Sequence, residues 1–243
     1  HLLVICIDTV RADTFRVLGL RGADSLTPLE KTGVVFERSS APAPLTLPSI
    51  ASVFTGLWVP PHGAGTFPGM YAHLFKEPPG RVAKDIEVLP QVLKDEKDFD
   101  TAIVTASAWT GSRKMSFGLT RGFDKILPFD MPKMDADWRP KVEAWRPLFK
   151  EHTDGGRAFH FLHLMEAHNW HMASHEEIDE KLKGVPEEEL AIYAQLAPGD
   201  ICADRDRNYC KLFTVYVAAV RELRQGVATI LDTLEAENLL QDT

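Results

Sequence analysis

LLVICID, residues 2–8, runs six apolar residues together and stops at a carboxylate. An unbroken run of this kind is the pattern of a parallel strand covered on both faces, because a strand with one wet face alternates instead. Similar runs recur along the chain. GVVFERS predicts a second strand around 34–36, TAIVTA a third around 102–105, and FHFLHLM a fourth around 159–165. Helical spacing lies between and after them. Val88, Leu89, Val92 and Leu93 precede the third strand, and a long amphipathic pattern runs through Leu212, Phe213, Tyr216, Val217, Val220, Leu223, Val227, Ile230, Leu231 and Leu234. Strands and helices in alternation give an α/β chain with a mostly parallel sheet.

The segments between these elements are read from composition. Residues 58–80 are rich in Pro and Gly, and residues 127–147 in Pro, Trp and Asp, so both are expected to be long surface loops. The charged stretch 172–208 is expected to be an insertion near the rim of a site. With 243 residues, 44% hydrophobic and 26% charged, the chain suits one large domain or two small ones. A net charge of -8 with scattered cations argues against a nucleic-acid footprint. Cys6, Cys202 and Cys210 lack disulfide-framework or C-x-x-C spacing and are read as free thiols, Cys6 in the core. No stretch approaches the roughly 18 apolar residues of a membrane span, and no signal peptide is visible. The compartment and oligomeric state stay open.

In open α/β sheets, ligands bind beyond the carboxyl ends of the strands. Three residues stand at such ends: Asp8, Thr46 and His168. Asp8 either caps the following segment or meets a cation, a donor or water, since a carboxylate after six apolar residues needs one of these. Thr46 lies in APAPLTLPSIASVFTG, residues 41–56, where Pro48 suits a first helical turn, Ile50, Val53 and Phe54 give a buried face, and Gly56 can end the helix. It is therefore either a capping threonine or a hydroxyl at a helix N-terminus, where free N–H groups favour an anion or an alkoxide. His168 closes HLMEAH, with His160, His163 and His171 nearby as less specific candidates.

Taken in order, IDTVRADTF, LTPLEKTGVVFERSSAPAPLTLPSIASVFTGLWVPPHGAG, TAIVTASAW, LTRGFDKIL and FHFLHLMEAH resemble the sulfatase family of the alkaline phosphatase superfamily over nearly the whole chain. The resemblance implies an alkaline-phosphatase-like three-layer sandwich. It places Asp8 on a divalent metal (Ca, Zn, Mg or Mn), Thr46 at the nucleophile and metal-ligand position, and His168 at the substrate-side histidine of the family's Asp/Glu-x-His motif. A small anionic ester is the implied substrate.

The departures from the family pattern are informative. The usual C-x-P-x-R motif, whose cysteine or serine becomes formylglycine, reads Thr46-Leu47-Pro48-Ser49-Ile50 here. The second of two aspartates after the first strand is Thr9, with Asp13 the nearest other carboxylate. The family's Lys and His after the third strand are missing; Arg113 and Lys114 lie nearby out of register. These changes favour phosphoester over sulfate-ester chemistry, by hydrolysis or by transfer of a substituted phosphoryl group. The alternative is a non-catalytic member that binds an anionic ligand or partner. In the family, the long helix leads to a further strand and an Asp-His or Asp-Asn pair. Residues 1–243 are thus expected to be the N-terminal part of the catalytic domain, with the remaining metal ligands beyond Thr243.

Overall fold

The computed structural model describes residues 1–14, 29, 32–36, 38–65, 80–112, 116–130, 137–168, scattered positions between 176 and 191, and 207–243. Among these, strands β1 (Leu2–Ile7), β2 (Phe99–Thr105), β3 (Lys125–Pro128) and β4 (Arg157–Leu164) form one sheet in the order β1-β4-β2-β3. Every pairing is parallel. Parallel strands need crossovers: α1 (Thr46–Thr55), α2 (Val59–His62) and α3 (Leu89–Lys97) lie between β1 and β2, α4 (Arg139–Gly155) lies between β3 and β4, and the long α5 (Arg207–Ala236) follows β4.

The sheet is covered on both sides, as its unbroken apolar strands require. On one face, Leu47, Ile50, Ala51 and Phe54 of α1 pack with Val4, Cys6, Ile103, Phe159 and Phe161, and Leu89 and Leu93 of α3 join them. Phe54 meets the edge of Phe161 at 5.0 Å. On the other face, Val142, Trp145 and Phe149 of α4 and Ile230 and Leu234 of α5 enclose Val104, Ala158 and Leu162. The two helices come close where Gly226 faces Trp138; a Cβ at Gly226 would lie 2.9 Å from the indole.

Three expectations need correction. Val34, Val35 and Phe36 form no strand and are 79%, 77% and 78% exposed. β-propensity makes a strand only where a ladder and a covering layer exist, and no described strand pairs with these residues. The second loop, 127–147, contains instead β3 at one end and the start of α4 at the other. Pro140 lies in the first turn of α4, where its missing N–H costs nothing, so this proline starts a helix. Val53 is 52% exposed, so the buried face of α1 is Leu47, Ile50, Ala51 and Phe54. Residues 66–79 and most of 172–206 lie outside the described residues, and so does most of the insertion expected at 172–208, whose last two residues begin α5. No described helix is long and apolar enough to cross a membrane.

Candidate active site

Side-chain alternation along β1 sets Val4, Cys6 and then Asp8 on the α1 face of the sheet. On β4 the same face carries Phe159, Phe161 and His163, and on β2 it carries Ile103 and Thr105. The register puts Cys6 beside His163 and His163 beside Thr105, so these residues form one row below Asp8. Asp8 itself continues the ladder by donating its amide to the Leu164 carbonyl at 2.9 Å.

Helix α1 supplies the other half. Leu45 is its N-cap residue, with extended backbone and no side-chain cap, and Gly56 ends it in the left-handed conformation at φ 69°. Thr46 is therefore the first helical residue, and its hydroxyl caps nothing. Instead Thr46 Oγ1 donates to Asp8 Oδ2 at 3.0 Å. Ser49 makes the first helical bond, to Leu45, and Pro48 has no N–H, so the amides of Thr46 and Leu47 remain at the open end of α1. Buried His62 anchors the helix from behind. Its Nδ1 accepts from the Ala64 amide at 3.0 Å, so Nε2 carries the proton and donates to Ser52 Oγ at 3.0 Å.

His163, one of the less specific histidines in the sequence, belongs to the centre. It is fully buried, and its Nε2 lies 3.1 Å from Asp8 Oδ2. Its Nδ1 lies 3.4 Å from Thr105 Oγ1, which is 2.8 Å from Thr110 Oγ1 and accepts from the Ser107 amide at 2.9 Å. Burial pushes the Asp8 carboxyl up, but the hydrogen bond and charge of His163, the Thr46 hydroxyl and the charge of His168 outweigh it, and its pKa is lowered. Asp8 is thus a carboxylate at neutral pH. The neighbouring Cys6 thiol is pushed up to about 12, first by burial and then by Asp8, and is inert.

His168 sits half-buried in the turn after β4, its amide donating to the Met165 carbonyl at 2.9 Å. That turn is tied to α4 by a buried ion pair, Lys141 Nζ to Glu166 Oε1 at 2.6 Å. The structure brings Asp8, Thr46 and His163 together, with His168 close enough to influence Asp8. It does not bring Asp13, which pairs with Arg11 and accepts from the Thr14 amide at 2.7 Å. Nor does it bring His160, which faces the opposite side of the sheet and lies 2.9 Å from His152. Arg113, Lys114 and His171 are outside the described residues. The signal for His163 was its parity with Phe159 and Phe161, which puts an imidazole on an apolar face next to the strand end.

Asp8 and Thr46 offer two hard oxygen donors of the kind that suit a divalent cation. Among the described residues, no group of three or more His, Cys, Asp or Glu could hold a metal. With its Nε2 on Asp8 Oδ2, His163 fixes the orientation of that carboxylate.

The family model for sulfatases matches residues 1–243. In fold, the chain is similar to the C-terminal periplasmic domain of EcEptC from Escherichia coli, solved in complex with Zn, at a TM-score of 0.61 and 14% identity. The alignment covers 98% of this chain and 60% of that one, so the chain spans less than two thirds of its structural relative. No curated protein sequence matches it. A match over the full 243 residues, on a parallel α/β sheet with Asp8 and Thr46 at its carboxyl edge, shows that the chain belongs to the sulfatase family.

Proposed function

We propose that residues 1–243 are the nucleophile-bearing part of a metal-dependent enzyme that hydrolyses small anionic phosphoesters or transfers their phosphoryl group, with Thr46 as the attacking residue. One observation carries this reading: the Thr46 hydroxyl stands at the open end of α1 and is hydrogen-bonded to the Asp8 carboxylate at 3.0 Å. Asp8 and Thr46 would hold a divalent cation together with ligands from the rest of the full-length protein. Such a cation lowers the pKa of a hydroxyl and polarises the ester oxygen. The Zn in the structural relative supports a divalent ion, without fixing its identity here.

Each residue then has a defined task. Asp8 aligns the Thr46 hydroxyl and receives its proton, although a carboxylate with a lowered pKa is too weak a base to ionise it unaided. The Thr46 oxygen bonds to phosphorus while the ester P–O bond breaks, and His168 gives a proton to the departing oxygen. The amides at the start of α1 face the developing negative charge. In the second step water, or an acceptor alcohol, attacks the phospho-threonine; His168 takes the proton from the attacking oxygen, and Thr46 recovers its own.

The preference for phosphate follows from the sequence of the loop. Threonine cannot become formylglycine, which removes the family's route for releasing sulfate. Ile50 stands where the motif has arginine, and it is buried in the core, so that guanidinium is missing from the site. A second reading, a pocket that binds an anion without turning it over, draws on the same loss and on the incomplete ligand set among the described residues. Matched aryl phosphate and aryl sulfate substrates, assayed with the full-length protein, separate these readings. Faster phosphate turnover with phosphate trapped on Thr46 is expected; a preference for sulfate overturns the reaction, and turnover of neither favours the binder.

A further inference from the structure

Thr9, the residue after Asp8, has φ 60°. A β-branched side chain rarely adopts the left-handed conformation, because its Cβ substituents crowd the backbone there. Something must hold it. The Thr9 hydroxyl donates to the Asp8 carbonyl at 2.7 Å, but that bond is local and involves a partly wet group. The long-range restraint comes from α5. Tyr216 Oη donates to the Thr9 carbonyl at 3.0 Å and accepts from the Arg11 amide at 2.8 Å, so one phenolic oxygen closes the turn from both sides.

Tyr216 is well placed for this task. It is 2% exposed, packs in the cluster of Leu164, Phe213, Val217 and Val220 against Ile7 and Val10, and is more than 200 residues from the turn in sequence. Its ring fills the core, and its hydroxyl alone reaches the backbone. Burial raises the phenol pKa, which keeps the proton on the oxygen that donates to Thr9.

On the reading above, in which Asp8 and Thr46 are the working pair, we infer that Tyr216 is a positioning residue: its hydroxyl holds Thr9 left-handed and so directs the Asp8 carboxylate at Thr46. The amide of Asp8 is fixed by the ladder to Leu164. Its carbonyl side is fixed only through Thr9. If Thr9 relaxes to negative φ, the peptide after Asp8 rotates and the carboxylate loses its aim.

The test uses the full-length protein and exploits the one residue that needs no clamp. Glycine occupies φ near 60° without strain, so T9G should restore what Y216F loses. The coupling between Asp8 and Thr46 is read from a D8N/T46V double-mutant cycle by urea denaturation in the presence of a chelator, and is expected to be at least about threefold in the unfolding constant. Y216F should abolish this coupling, and Y216F/T9G should recover most of it. With an aryl phosphate, Y216F should lower kcat about tenfold to a hundredfold at little cost in KM, with partial recovery in Y216F/T9G. Coupling that persists in Y216F, or that T9G does not restore, overturns the inference. A Y216F protein that fails to fold supports it if T9G restores folding, and overturns it if T9G does not. If the unmodified protein turns over no ester while the coupling behaves as expected, the proposed reaction fails and the clamp stands.

Discussion

Asp8 and Thr46, 38 residues apart in the chain, share one hydrogen bond of 3.0 Å at the place where the first strand ends and the first long helix begins. Asp8 Oδ2 also meets His163 Nε2 at 3.1 Å, so two donors converge on a single carboxylate oxygen. Both contacts restrain that oxygen while the backbone of Asp8 holds its place. The carboxylate is aimed before any ligand arrives.

Thr46 is therefore expected to respond to chemistry more than to size. Thr46→Val keeps the shape and removes the hydroxyl, and should lower turnover of an aryl phosphate on the order of 10³-fold or more. Thr46→Ser should retain measurable activity and carry the trapped phosphate. Mass spectrometry of the quenched proteins checks both outcomes, and full activity in Thr46→Val would remove the nucleophile assignment.

His163 should act through Asp8. Removing the imidazole with His163→Leu leaves Asp8 with one donor fewer, and losses of roughly 10- to 100-fold are typical when such a supporting group is deleted. His163→Gln, which can still donate, should fall between the two. Steady-state kinetics with calorimetric titration of Zn²⁺ would show whether activity and metal affinity decline together, as the proposed function requires.

The buried pair of Lys141 and Glu166 gives a stability prediction. Both side chains are within 5% of complete burial, so Lys141→Met strands a carboxylate in the core. Breaking such a pair typically costs about 3–5 kcal/mol, whereas replacing both partners is often neutral. Lys141→Met should be strongly destabilised in urea, and Lys141→Met/Glu166→Leu should recover most of the loss. Equal destabilisation of the two variants would show that the pair is not isolated from water.

His160 predicts acid sensitivity. Burial, with a smaller contribution from His152, pushes its pKa down from 6.5 to about 3. The folded protein then binds fewer protons than the unfolded chain between those values, so stability is fully present above about 6.5 and falls as pH drops towards 3. The slope approaches ~1.4 kcal/mol per pH unit for one such group. His160→Phe should flatten this part of the curve, which denaturation at pH 7, 5.5 and 4.5 would measure.

Much of this arrangement was legible in the residues. The unbroken runs of β1, β2 and β4 announced a sheet covered on both faces, and Gly56 correctly marked the end of α1. Pattern failed where a residue's meaning depended on a distant neighbour. Val34–Phe36 carry strand-forming side chains but find no described ladder, and Pro140 looked like loop punctuation until its position in the first turn of α4 was visible. His163, one of the less specific candidates in the sequence, shows the same dependence. Its role exists only through register with Cys6 and the carboxylate two residues beyond, and a single sequence shows parity without showing partners.

The pairing of β1 also has a consequence in time. Leu2 lies against Phe159 and Ile7 against Leu164, and β1 has no other partner among the described residues. During synthesis at about 5–20 residues per second, LLVICI must wait on the order of 10–30 s for the strand it pairs with. Throughout that interval it is an apolar, uncharged segment with both edges open, the kind of sequence that seeks strands in other chains. The strand that presents Asp8 is therefore also a segment open to misassembly while the chain is made, and its protection falls to whatever binds the nascent chain first.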